Sequence, residues 1–174
     1  YALMIFVMFL TACGGDGGDD GWDAPAMPAT YKVDDKDYSQ ALLLGDSRCV
    51  YNNFISERDC VGYRRLIDVD SLDSSYSKII IHLGLNDMSS SVNVDVWSAH
   101  LAYLIDGIED KVWCVIPTNK GWYAGSQIVK DYRAKMYATC KNTLEPNIDP
   151  NDPDLQHYDD ANYMQVKNDI YDAV

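Results

Sequence analysis

Short apolar runs that stop at a turn residue alternate along the chain with longer segments of helical periodicity. Continuous runs of this kind are typical of buried strands. They occur at residues 41–44, 78–83 and 111–116, and a shorter strand is predicted at 58–63. The run 78–83 is rich in β-branched residues, which favour strands. It is the strongest strand prediction in the chain.

Three segments carry apolar residues at the spacing of an amphipathic helix, at positions 92–108, 123–140 and 159–174. Strands that alternate with helices favour a parallel sheet with helices on both faces. The last strand would fall at 143–149, a weakly strand-like segment that contains Pro146. We therefore expect a frayed or absent strand at that edge of the sheet.

The first residues suggest a targeting segment rather than part of the fold. Residues 2–10 are almost wholly apolar, yet far fewer than the ~20 that a membrane-spanning helix needs. They lead into Leu10-Thr11-Ala12-Cys13 and a Gly/Asp-rich stretch, which resembles the lipobox of bacterial lipoproteins. The resemblance implies an N-terminally incomplete signal peptide at 1–12 and a lipidated Cys13 with a flexible linker at 13–35. A folded domain would follow at 36–174, exported and anchored by lipid to a bacterial membrane.

Composition narrows the classes of partner. The chain has 174 residues, the size of one domain, and a formal net charge of −13. This charge opposes binding to nucleic-acid phosphates, so no nucleic-acid partner is predicted. No zinc-like C-x-x-C spacing occurs, and no metal site is predicted. Besides Cys13, four cysteines remain, for which a Cys49–Cys60 bridge and four free thiols are both open.

Polar residues follow the predicted strands where they end. Asp46-Ser47 follows the first strand, and Gly84-Leu85-Asn86-Asp87 follows the run 78–83. Asp154 and His157 precede the last helix. Because ligands of open parallel sheets bind at the carboxyl ends of the strands, we expect these groups at one sheet edge. A serine at a strand-to-helix turn there is well placed to act as a nucleophile.

The three blocks Gly-Asp-Ser, Gly-x-Asn-Asp and Asp-x-x-His, in this order, resemble the SGNH (GDSL-type) hydrolase superfamily. The likeness extends from about Tyr38 to the C-terminus. It implies a three-layer α/β/α sandwich with a central parallel, flavodoxin-like sheet. Only 39 residues separate Ser47 from Asn86, which is short for this family and implies a somewhat truncated version.

The resemblance also implies the site. Ser47 would be the nucleophile, His157 its base, and Asp154 the carboxylate that orients the imidazole. The backbone N–H groups of Ser47 and Gly62 and the side-chain amide of Asn86 would bind the oxyanion. No organic cofactor is required. His82, inside the predicted strand 78–83, is interpreted as structural.

The sequence also bears on which ester would be the natural substrate. Short loops leave little material for a deep acyl-chain tunnel, which favours a short-chain ester. We expect an O-acetyl group on a glycan, with Asp46, Trp122 and Tyr123 contacting the substrate. A lipase or lysophospholipase, an acyltransferase, and a catalytically silent binding module anchored at the surface remain alternatives.

Overall fold

The computed structural model describes residues 40–49, 55, 57–117, 125–148 and 160–174. They contain one parallel sheet with the strand order β2-β1-β3-β4-β5. The strands are β1 (Ala41–Gly45), β2 (Glu57–Cys60), β3 (Lys78–His82), β4 (Val112–Val115) and β5 (Asn142–Leu144). This is the flavodoxin-like order of doubly wound sheets. The predicted central parallel sheet is confirmed.

Four helices accompany the sheet within the described ranges. They are α1 (Leu85–Ser89), α2 (Val94–Ile105), α3 (Gln127–Thr139) and α4 (Asp160–Ala173). Asn93 is the N-cap residue of α2, and its side chain accepts hydrogen bonds from two backbone N–H groups of the first turn. Ser126 is the N-cap residue of α3, and its side chain accepts one such hydrogen bond. Both caps satisfy N–H groups that a helix start leaves without a partner.

The two faces of the sheet pack against different helices. On one face, Ile81 lies in a core with Trp97 of α2 and Tyr132 of α3, whose rings are 4.8 Å apart between centroids. On the other face, Ile80 packs with Ile170 of α4. Neighbouring strand residues thus point to opposite cores, as the pleat requires. The predicted three-layer α/β/α sandwich is confirmed.

The edge strands differ from the sequence-based expectation. The segment predicted at 58–63 forms the shorter β2, whose residues are mostly exposed. At the opposite edge a short β5 is present, where a frayed or absent strand was expected. It pairs with β4 over three residues and ends before Pro146, which has no N–H to continue a ladder.

Two disulfides settle the pairing that the sequence left open. Cys49, in a 3₁₀ turn after β1, is bonded to Cys60 at the end of β2. Cys114 of β4 is bonded to Cys140 at the end of α3.

No helix of the described ranges is long and apolar enough to span a membrane. The predicted ends of the signal peptide and of the linker, at residues 12 and 35, lie outside the described residues.

The end of β1 requires glycine for a steric reason. A Cβ on Gly45 would lie 2.6 Å from both Cβ and Sγ of Cys49 and 3.1 Å from the backbone oxygen of His82. We expect Gly45→Ala to lower the free energy of unfolding by about 1–3 kcal/mol, because the disulfide and the β3 backbone have little freedom to move. Urea unfolding measures this change.

The matched control is Gly62→Ala, since no atom of the described residues lies within 4 Å of the Cβ position there. Its unfolding free energy should stay within about 0.5 kcal/mol of wild type. Equal losses in the two variants would contradict the steric explanation.

Candidate functional site

The strand register brings two of the three predicted blocks, together with Gly62, to one edge of the sheet. Gly45, the last residue of β1, pairs with Cys60 of β2 and with His82 of β3. The three strands therefore end at the same level. Ser47, two residues beyond Gly45, and Gly62, two residues beyond Cys60, leave the sheet at this carboxyl edge. Asn86 follows β3 there, in the first turn of α1.

A buried ion pair fixes the turn that carries Ser47. Arg48 donates from Nε and from one terminal nitrogen to the two oxygens of Asp46, at 3.0 and 2.8 Å. Its backbone N–H also donates to Asp46 at 3.0 Å. Both side chains are almost wholly buried, whereas Ser47 between them is only half-buried. The paired residues on either side of the candidate nucleophile thus hold the turn in one conformation.

The sequence-based prediction that Asp46 contacts substrate does not fit this geometry. Both of its carboxylate oxygens face Arg48 inside the protein. Its side chain therefore belongs to the framework of the turn. The sequence offered a signal for this arrangement, since an acidic and a basic residue flank Ser47 directly, but their pairing was not inferred.

Arg48 lowers the pKa of Asp46, and burial lowers the pKa of the neighbouring His82. Burial alone would raise the pKa of Asp46, but the charge and hydrogen bonds of Arg48, together with His82, hold it below its ordinary value. Burial is also the main influence on His82, where it and the nearby Arg48 lower the pKa to about 3. His82 is buried at the end of β3, in agreement with its structural interpretation.

The side chains of Asn86 and Asp87, which follow β3, form hydrogen bonds with the loop after β2. The Asn86 amide donates to the backbone oxygen of Arg64 at 3.0 Å. The buried Asp87 carboxylate accepts from the backbone N–H groups of Leu66 and Ile67, at 2.8 and 3.3 Å. Burial raises the pKa of Asp87, although these N–H groups act in the opposite direction. Sequence reasoning assigned no role to Asp87.

Gly62 lies in an exposed part of the same loop. Among the described residues, no atom comes within 4 Å of the position its Cβ would take. The next residue, Tyr63, is 85% exposed and has a φ of 61°, a conformation that bulky residues rarely adopt. Local packing therefore does not demand a glycine at 62, and Tyr63 is an exposed aromatic group that sequence reasoning overlooked.

The remaining site predictions lie outside the described residues. These are Asp154 and His157 of the predicted triad, Trp122 and Tyr123 of the predicted substrate contacts, and Cys13. The start of α4 follows His157 closely in sequence. Lys78, the first residue of β3, donates from its ammonium to the backbone oxygen of Val174, so the end of α4 lies near the amino edge of the sheet. No three metal-binding side chains converge in the part of the chain that the structure describes.

Comparisons with known proteins identify the fold. No family model and no curated protein matches the sequence. The structure is similar to a crystal structure of the psychrotrophic esterase EstA from Pseudoalteromonas sp., inhibited by monoethylphosphonate. The chain shares the fold of an esterase. The TM-score is 0.54 at 10% identity, over 77% of this chain and 96% of EstA. The likeness to EstA is therefore one of architecture.

The buried His82 should make stability depend on pH. The unfolded chain binds a proton at this imidazole below about pH 6.5, whereas the folded protein does so only near pH 3. The free energy of unfolding is therefore unaffected by His82 above pH 6.5 and falls as the pH drops through this window, by at most about 1.4 kcal/mol per pH unit. His82→Gln should flatten the slope between pH 6.5 and 5, measured by urea unfolding.

His100→Gln is the matched control, because His100 lies on α2 and contacts the backbone oxygen of Val69. Its slope is the reference with which the slope of His82→Gln is compared. A wild-type slope in His82→Gln would show that other groups cause the pH dependence.

Proposed function

We propose that the chain is a serine esterase of the SGNH type, with Ser47 as its nucleophile. The observation that carries the proposal is the turn at Ser47, clamped by Asp46 and Arg48 at the carboxyl edge of an esterase-like sheet. In such sheets this edge is where ligands bind. The order of the three sequence blocks supports the same assignment.

In the proposed mechanism, Ser47 Oγ attacks the carbonyl carbon of the ester while His157 takes the hydroxyl proton. Asp154 holds the imidazole in the required tautomer and stabilises its charged form. The tetrahedral intermediate then collapses, and His157 returns the proton to the leaving alcohol. Water attacks the acyl-enzyme in the same way and releases the acid with free Ser47.

The oxyanion would be bound by the backbone N–H groups of Ser47 and Gly62 and by the Asn86 amide. One hydrogen on the Asn86 nitrogen is directed to the oxygen of Arg64, which fixes the plane of the amide. The nitrogen carries a second hydrogen, and the proposal assigns it to the oxyanion. A neutral, fixed donor of this kind stabilises developing negative charge without itself needing to reorganise.

The proposed substrate is an O-acetyl ester on a carbohydrate. Tyr63 supports a ring-bearing substrate, since it is 85% exposed beside Gly62, and Trp122 and Tyr123 are proposed to add stacking surface. Export and anchoring through Cys13 would place the enzyme near glycans outside the cytoplasm. Lipase-type hydrolysis, acyl transfer and a silent binding role are the alternatives that the assays must separate.

The nucleophile is tested with Ser47→Ala. Wild type should hydrolyse p-nitrophenyl acetate faster than p-nitrophenyl octanoate, and Ser47→Ala should lower kcat by at least about 10³-fold while remaining folded, because the acyl-enzyme cannot form. Mass spectrometry after treatment with a p-nitrophenyl alkylphosphonate ester, which loses p-nitrophenolate as Oγ attacks phosphorus, should find the adduct on Ser47.

Each other outcome assigns the activity elsewhere. A preference for octanoate would favour a lipase, and faster acetyl release with an added sugar acceptor would favour transfer. A folded wild type that hydrolyses neither ester and forms no phosphonate adduct would leave the binding module as the better explanation.

The oxyanion assignment is tested with Asn86→Ala. We expect a loss of about 10²-fold to 10³-fold in kcat with little change in KM, because the donor acts mainly in the transition state. Asn142→Ala is the matched control, since Asn142 also donates to backbone oxygens but on β5. Comparable kcat values for the two variants would refute the assignment.

A further inference from the structure

The loop that follows β2 has little apolar support. β2 is an edge strand that pairs only with β1, and its first three residues are exposed and charged. Of its four residues, only Cys60 packs against a hydrophobic core. Beyond it, Val61, Gly62 and Tyr63 are all exposed.

A cavity lies beside the segment that continues from this loop. It has a volume of about 390 Å³ and is bounded by Leu44 of β1, Asp59 of β2, Arg64 and the segment 68–73. Val61, Gly62 and Tyr63 do not line this cavity, and the first buried side chain after them is Leu66. A donor in an oxyanion site must nevertheless be held within a fraction of an ångström, since small displacements cost much of the rate.

Polar contacts hold the chain on both sides of Gly62, and after it they include the Asn86 amide and the Asp87 carboxylate described above. The Val61 N–H donates to the backbone oxygen of Gly45 at 3.1 Å. The Arg64 side chain contacts the backbone oxygen and the carboxylate of Asp59, both at 2.8 Å. The Asp59 side chain is half exposed, and exposed ion pairs of this kind contribute little to stability.

A covalent bond joins this loop to the nucleophile turn. Cys49 lies two residues after Ser47, Cys60 lies two residues before Gly62, and the two are linked. Cys49 is fully buried against Gly45. One end of the bond therefore sits in the same clamped turn that presents Ser47.

We infer that the Cys49–Cys60 disulfide is a positioning element, which holds the Gly62 loop in register with the Ser47 turn and so keeps the oxyanion donors aligned. The inference rests on the proposed function. It assigns the two cysteines no contact with substrate. It predicts that their loss lowers kcat more than it raises KM.

The second disulfide provides a matched control. Cys114–Cys140 closes a longer loop than Cys49–Cys60, with sequence separations of 26 and 11 residues. Longer loops are expected to contribute at least as much stability. It joins β4 to the end of α3 and does not connect to β1 or β2.

The experiment compares two double variants of the full chain, Cys49→Ala/Cys60→Ala and Cys114→Ala/Cys140→Ala. Removal of Cys49–Cys60 should lower kcat for p-nitrophenyl acetate by about 10- to 100-fold, with KM within about threefold of wild type. Removal of Cys114–Cys140 should lower Tm at least as much and leave kcat within about twofold.

Hydrogen exchange provides a readout that does not depend on activity. Amides of residues 61–65 should exchange at least about tenfold faster in Cys49→Ala/Cys60→Ala than in Cys114→Ala/Cys140→Ala. If the first variant does not fold in buffer, both variants are measured in trimethylamine N-oxide, an osmolyte that favours the folded state. The loss of kcat and the faster exchange should then appear in Cys49→Ala/Cys60→Ala and not in Cys114→Ala/Cys140→Ala.

The outcomes separate the inference from the proposed function. Unchanged exchange at residues 61–65, or equal kcat losses in the two variants, would overturn the positioning role. A wild type that hydrolyses no ester and forms no phosphonate adduct would overturn the proposed function instead. The exchange comparison would still decide whether the disulfide positions the loop.

Discussion

The parallel pairing of β1 with strands on both sides is the constraint on which the candidate site depends. Gly45 is level with Cys60 and with His82, so three chain segments leave the sheet at one height. A parallel register is set by hydrophobic side chains that must alternate between two cores, here Ile80 and Ile81 on β3. The geometry of the polar edge is thus a consequence of how the apolar core packs.

The buried pair of Asp46 and Arg48 has a different origin from the core. Removing two charges from water is costly, and a buried ion pair often stabilises a protein less than apolar residues of the same shape. Here the ion pair fixes the conformation of the turn, because a planar guanidinium with two hydrogen bonds to a carboxylate has one orientation. The fixed turn brings Ser47 to the edge in a defined position, and the nearby His82 stays neutral because burial lowers its pKa to about 3.

The central architecture was predictable from sequence because its signals are local. The β-branched run that forms β3 and the periodic segment that forms α2 each carry enough apolar pattern to define an element. The edge strands were less predictable. β2 is charged and exposed, and β5 has only three residues, so backbone pairing with a neighbour defines them rather than their own side chains.

The roles within the candidate site divide in the same way. Ser47 and Asn86 could be selected because each follows a strong strand signal, and the strand order then brings both to one edge. The sequence carried a signal for the pairing of Arg48 with Asp46, two residues before it, but none for the role of Asp87, whose partners are backbone groups 20 and 21 residues away. Such contacts exist only once the chain has folded.

β2, the edge strand with mostly exposed residues, lies beside the proposed oxyanion site. β2 contributes three exposed charged residues and one cysteine, yet the loop after it is proposed to supply a donor to the oxyanion. A longer segment between β1 and β3 would have room for packing that supports this loop. In this chain the Cys49–Cys60 disulfide and the Asn86 and Asp87 side chains link the loop to the neighbouring turns. Covalent and polar links thus act where β2 and the residues that follow it have little core packing.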